Sequence, residues 1–178
     1  MNFDRMNEII DGIWLGDISS ANNVKDLKEK GIKKILSVLK QFGRSVKGEL
    51  YPGPNYKSED GFIQKRIEIN DFQNENIIKY FGECLKFIDG NEKVLVHCMQ
   101  GASRSATIVI AYLMWKKNME YEKALYFVQK KRSIVEPNEG FKQQLKLFEK
   151  ELVKNKYDID RIKFDEIKWK LNVDEIED

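Results

Sequence analysis

Val94-Leu95-Val96-His97-Cys98-Met99-Gln100-Gly101-Ala102-Ser103-Arg104-Ser105 carries most of the information in this chain. Val94–Val96 is a short, fully apolar strand. Small and uncharged residues follow. Ala106, Ile108, Val109, Ile110, Tyr112 and Leu113 then mark a buried helix over 104–117. In a tight turn between strand and helix, backbone N–H groups are free to converge on one point. The helix adds its positive N-terminal end there. That point suits an anion, held by the amides of Met99, Gln100, Gly101, Ala102, Ser103 and Arg104. Cys98 stands at its entrance, where positive potential favours thiolate, the nucleophilic form. The planar fork of Arg104 matches two phosphate oxygens at once. Gly101 permits a close approach that a Cβ would obstruct. Ser105 is placed to donate to the Cys98 sulfur. His97, the single histidine, is read as a brace of the loop and not as a proton carrier.

Upstream, Ile9–Gly16 reads as a strand or hairpin punctuated by glycine, and Lys34–Val38 as a strand. Ser19 and Ser20 are candidate caps for a helix near 20–30 that Gly31 stops. Residues 40–57, with Gly43, Gly48, Pro52, Gly53 and Pro54, form a long loop. Arg66–Ile69 alternates as a strand, and 75–89 carries a helical apolar face. Downstream, helices are expected near 120–131 and 139–153, with Asn138 capping the second. Trp14 and Trp115 are read as packing residues. The Lys116-Lys117 pair and the run Gln129-Lys130-Lys131-Arg132 are read as solvated helix surface. Strands alternating with helices, then helices alone, give an α/β protein: one β-sheet flanked by helices. The expected catalytic domain covers residues 1–153. A charged extension, 154–178, is docked or partly ordered. Its Ile159, Ile162, Phe164, Ile167, Trp169 and Leu171 favour docking, with Trp169 as an anchor against the domain or a partner.

The bulk numbers exclude several classes. A chain of 178 residues with 42% hydrophobic and 34% charged residues suits one globular domain. A net charge of +2 demands neither nucleic acid nor a membrane surface as partner. Two cysteines, Cys84 and Cys98, make no disulfide framework. No apolar leader, lipidation motif or membrane span is evident. A reducing location, cytoplasmic or nuclear, is expected. Oligomeric state is left open. Cys84 reads first as a small core residue and second as a redox partner of Cys98.

The Cys98-x5-Arg104-Ser105 loop resembles that of the cysteine-based protein tyrosine phosphatases. His97-Cys98-x-x-Gly101-x-Ser103-Arg104-Ser105 is similar to the dual-specificity version. So are Ala111-Tyr112-Leu113-Met114 and Arg132-x4-Pro137-Asn138-x-Gly140-Phe141-x-x-Gln144-Leu145. Ile13-Trp14-Leu15-Gly16 and Gly31-Ile32-x-x-Ile35-Leu36 resemble the family's opening strands. The match runs over roughly residues 8–152. It resembles the small, atypical dual-specificity class in particular. The resemblance implies a mixed sheet in the phosphatase fold, no metal or organic cofactor, and a phosphoprotein substrate. It implies a general acid in the loop Asn70–Glu75, at Asp71, with Asp60 and Glu75 as runners-up. It also implies that the Asn138 segment packs near the phosphate loop.

Other functions fit the same residues less well. Phosphoinositide phosphatases of this superfamily tend to carry lysines in the loop, whereas Met99, Gln100, Ala102 and Ser103 are uncharged. RNA 5′-end phosphatases resemble this loop less, and no basic-aromatic surface is evident. Phosphate-reading modules have lost the cysteine. A sulfurtransferase of the rhodanese type is disfavoured by the Cys–Arg spacing and the serine after it.

Overall fold

The computed structural model describes residues 4–40, 54 and 56–176. Most of the expected long loop, 41–53 and 55, lies outside the described residues. Five strands form one sheet: β1 (Met6–Ile10), β2 (Ile13–Gly16), β3 (Ile32–Val38), β4 (Ile63–Ile67) and β5 (Lys93–His97). Their order is β1-β2-β5-β3-β4. β1 and β2 are an antiparallel hairpin, and the other pairings are parallel. β5 therefore sits in the middle, fully paired, which is why its residues 94–97 are all buried. The parallel strands point their carboxyl ends to one edge. That edge gathers Gly16-Asp17, Val38, Ile69–Asp71 and His97-Cys98, as ligand sites in open parallel sheets do.

Two apolar layers close the sheet. On one face Ala21, Leu27, Ile32, Ile35 and Leu95 pack under α1 (Ile18–Asn22) and α2 (Val24–Glu29). The larger core lies on the other face, under α3 (Phe81–Ile88), α4 (Arg104–Lys116), α5 (Tyr121–Lys131) and α6 (Glu139–Lys154). α4 is buried nearly all round, from Ser105 to Met114.

Three expectations are corrected. The helix near 20–30 is two short helices. Asp17 caps the first through its bond from the Ser20 amide (2.8 Å), so neither Ser19 nor Ser20 is the cap. Asn23 interrupts the run and caps the second. The fourth strand ends at Ile67 because its partner β3 ends at Val38, opposite it; the bond from Lys40 N–H to Ile69 O carries the contact further. Of the alternating 66–69, Arg66 and Ile67 lie in the ladder, while Ile69 is buried beyond its end. The helix over 75–89 begins only at Phe81, after a 3₁₀ turn at Ile78–Tyr80. The buried Gln144 side chain accepts from the amides of Ile77 (2.8 Å) and Ile78 (3.0 Å), which fixes that stretch as a turn.

The last residues run back along the domain as three 3₁₀ turns. Ile159 and Ile162 are buried. The Phe164 ring lies against Gly82, where a Cβ would come within 2.8 Å of it. Trp115 donates its indole N–H to Tyr157 O (3.1 Å). Gln143 and Asn172 exchange two hydrogen bonds.

Candidate active site

Between β5 and α4 the chain turns through Cys98–Ser103, and the direction of its carbonyls shapes the turn. Met99 O accepts from Ile18 N–H, and Ala102 O from Glu136 N–H. Gln100 O and Gly101 O accept from Arg132 Nη2 (3.0 Å) and Nε (2.9 Å). Ser103 O accepts from Thr107. Each carbonyl is drawn outward, so the alternating amides face inward. Among the described residues, no acceptor of the protein takes the N–H of Met99, Gln100, Ala102, Ser103 or Arg104. Amides left unpaired in this way are open to an acceptor, and a tetrahedral oxyanion supplies several at once. Gly101 is required twice over. Its φ is +68°, and a Cβ there would stand 2.4 Å from Gly16 O.

Cys98 is 2% exposed at the floor of this cup. Its sulfur receives two donors, Gly101 N–H at 3.2 Å and Ser105 Oγ at 3.1 Å. Arg104 opens α4. Its Nη1 donates to Ile69 O (3.2 Å), while its buried Nε has no partner. A buried guanidinium N–H left over is a donor awaiting an anion.

His97 lies between Gly16 and Ser37 in the sheet register. Its Nδ1 donates to Cys98 O (3.2 Å), because a carbonyl can only accept. Nε2 is then the acceptor, and Ser37 Oγ donates to it (2.6 Å). Burial above all pushes the ring down to about 4. It is neutral at working pH and serves as a brace. The sign of its effect on stability follows. Below the unfolded value of about 6.5 the unfolded chain takes up a proton that the native ring refuses until about 4. Stability is therefore present above pH ~6.5 and is lost as pH falls toward 4, by about 3 kcal/mol. Urea unfolding of wild type and His97→Gln at pH 7 and pH 4.5 is expected to show a large gap that narrows in acid. Parallel curves would contradict the neutral brace.

Asp71 is brought to the loop. Its Oδ1 accepts from Ser103 Oγ (2.7 Å) and from Asn138 Nδ2 (2.8 Å). Asn138 also caps α6 through Phe141 N–H (2.9 Å). One carboxylate thus joins the 70–75 loop, the phosphate loop and the start of α6. Gly140 lets α6 come this close, since a Cβ there would overlap Gln73 O at 1.8 Å. The runners-up are committed elsewhere. Asp60 pairs with Lys28 of α2 (2.8 Å), whose hydrogen bond holds it below the usual carboxylate range. Glu75 accepts from Asn70 and closes its own loop.

One reading is overturned. Arg132 is 6% exposed and not solvated surface. Besides the two loop carbonyls it reaches Asp4 O (2.9 Å) and Asn7 Oδ1 (2.8 Å). It clamps the loop from behind, and its place in the Arg132-x4-Pro137-Asn138 spacing was the signal. Cys84 is buried in α3, where desolvation pushes its thiol well up. Both cysteines are free.

Comparison with known proteins gives the family. Residues 13–151 match the family model described as dual specificity phosphatase, catalytic domain. The chain is 38% identical over 154 residues to dual specificity protein phosphatase 1B of Arabidopsis thaliana, covering 84% of this chain and 85% of that protein. It is 40% identical over 149 residues to a probable dual specificity protein phosphatase of Dictyostelium discoideum, covering 79% and 63%. Among solved structures it superposes with a TM-score of 0.75 on human tyrosine phosphatase-like serine/threonine/tyrosine-interacting protein, at 36% identity over 84% of this chain and 99% of the other. Among the described residues no helix is long and apolar enough to cross a membrane. With a mixed five-stranded sheet, an amide-lined loop and these relatives, the chain belongs to the dual specificity phosphatases, enzymes that dephosphorylate tyrosine, serine and threonine residues of proteins.

Proposed function

We propose that this chain hydrolyses phosphate monoesters of phosphoproteins through a cysteinyl-phosphate on Cys98. The observation that carries the reading is the cup itself: carbonyls bonded outward, unpaired amides within, and the spare Nε of Arg104 beside them. In the first step Cys98 Sγ attacks phosphorus as the P–O bond to the substrate breaks. The Asp71 carboxyl gives its proton to the departing oxygen. The unpaired amides of Met99, Gln100, Ala102, Ser103 and Arg104 and the Arg104 fork hold the three equatorial oxygens, where charge spreads in the transition state, while the Gly101 N–H stays on the sulfur. In the second step water attacks phosphorus, its proton passes to the Asp71 carboxylate, and the P–S bond breaks. Ser105 Oγ, already 3.1 Å from sulfur, donates to the departing thiolate. His97 and Asn138 hold the loop and the acid in place. A thiolate nucleophile needs a reducing compartment, which supports the cytoplasm or nucleus as its place of action.

Asp71→Asn tests the acid. Turnover of an alkyl-like leaving group, as in phosphothreonine, is expected to fall by about 10²–10⁴-fold. Formation of the intermediate from an activated aryl phosphate should fall far less, because that oxygen leaves without a proton. Single-turnover kinetics on both substrates read the difference. An equal loss on both would assign the proton to another group.

A further inference from the structure

A groove of about 680 Å³ runs beside the cup, and the phosphate loop is their shared wall. Met99 and Ala102 line it from the loop, and Ile134 from the segment after α5. Met99 is 36% exposed and Ile134 39%, both large apolar side chains left facing solvent. Its charged residues cancel: Asp4 and Asp17 against Arg5 and Arg132. Arg5 pairs with Asp17 at 3.1 Å. Arg132 spends four of its N–H donors on Gly101 O, Gln100 O, Asp4 O and Asn7 Oδ1. Among the described residues each arginine of the groove already has a partner, and Asp4 and Asp17 offset their charge, so the lining offers apolar surface and no unpaired cation.

We propose that this groove selects phosphoprotein segments with a bulky aliphatic residue beside the phosphoresidue, and rejects a carboxylate or a second phosphate there. The inference rests on the phosphatase reading above and names the substrate class of that site. With its phosphate in the cup, an extended segment advances about 3.3 Å per residue. Its neighbouring side chain therefore falls on the adjoining wall. An aliphatic group there covers Met99 and Ile134 and removes apolar surface from water. A carboxylate or phosphate would lose hydration and meet two arginines whose charge Asp4 and Asp17 already offset.

The test uses three phosphotyrosine peptides of one sequence that differ only in the flanking residues: leucine, glutamate or phosphothreonine. On the wild-type chain, kcat/KM is expected to be about tenfold higher for leucine than for either charged neighbour, the scale of a small apolar pocket. Ile134→Lys, which removes the aliphatic contact and adds an unpaired cation, should bring that ratio to within about threefold of one, and Ile134→Ala should give an intermediate value. Equal values on the wild type, a preference for the charged peptides, or a ratio untouched by both variants would overturn the proposal. Turnover of p-nitrophenyl phosphate with none of the peptides would overturn the groove alone. No turnover of either kind would overturn the phosphatase reading, and the groove with it.

Discussion

Cys98→Ser is expected to lower aryl phosphate turnover by about 10⁴-fold or more while the protein stays folded, since removing a nucleophile disables the whole catalytic unit. The substitution changes one atom at a site that is 2% exposed. Both donors now on sulfur, Gly101 N–H and Ser105 Oγ, have an oxygen to turn to. What is lost is the reacting group. A serine hydroxyl does not ionise near neutral pH and no base beside it takes its proton: the neighbouring His97 has Nδ1 on Cys98 O and Nε2 on Ser37. Steady-state turnover, with circular dichroism and thermal melting as controls, reads the effect. Near wild-type turnover would contradict sulfur attack.

The second large loss is expected from Arg104→Lys, about 10³-fold and mainly in kcat. Charge is conserved in this change. Geometry is not: the fork that donates to Ile69 O through Nη1 and keeps Nε spare becomes a single ammonium. One point charge cannot serve two oxygens while staying tied to the carbonyl. Because charge on the oxygens peaks in the transition state, the deficit should appear more in kcat than in KM. Separate measurement of kcat and KM decides it. A change confined to KM, or a loss below tenfold, would mean that Arg104 binds ground state and transition state alike.

The residues proposed to react are legible because this chemistry demands that they be neighbours in the chain. Cys98, Gly101, Arg104 and Ser105 lie within one strand–turn–helix unit whose shape follows from local sequence. The residues that hold the unit in place were less legible. Arg132 meets Gly101 O across 31 positions, and its basic surroundings read as helix surface. Gln144 sets the start of α3 from 67 positions away. Asp17 takes the cap that two serines seemed to offer. The first two are tertiary contacts that satisfy buried backbone groups, and no local propensity encodes them; the Asp17 cap is local, three residues from Ser20, and aspartate caps as well as the serines beside it. The displaced strand, like the first two, has a tertiary origin. Ile67 and Ile69 alternate with charged residues as a strand would, yet the ladder stops where β3 stops. Asp71 was reached through resemblance and not through spacing. Its bonds to Ser103 and Asn138 explain why that position, and neither Asp60 nor Glu75, meets the loop.

The covalent step can be observed directly. Asp71→Asn, mixed with an activated aryl phosphate and quenched in acid within the first turnover, should carry one phosphoryl group, and peptide mass spectrometry should place it on Cys98. Turnover with phosphate on no residue, or on a residue other than Cys98, would contradict sulfur attack within the amide cup.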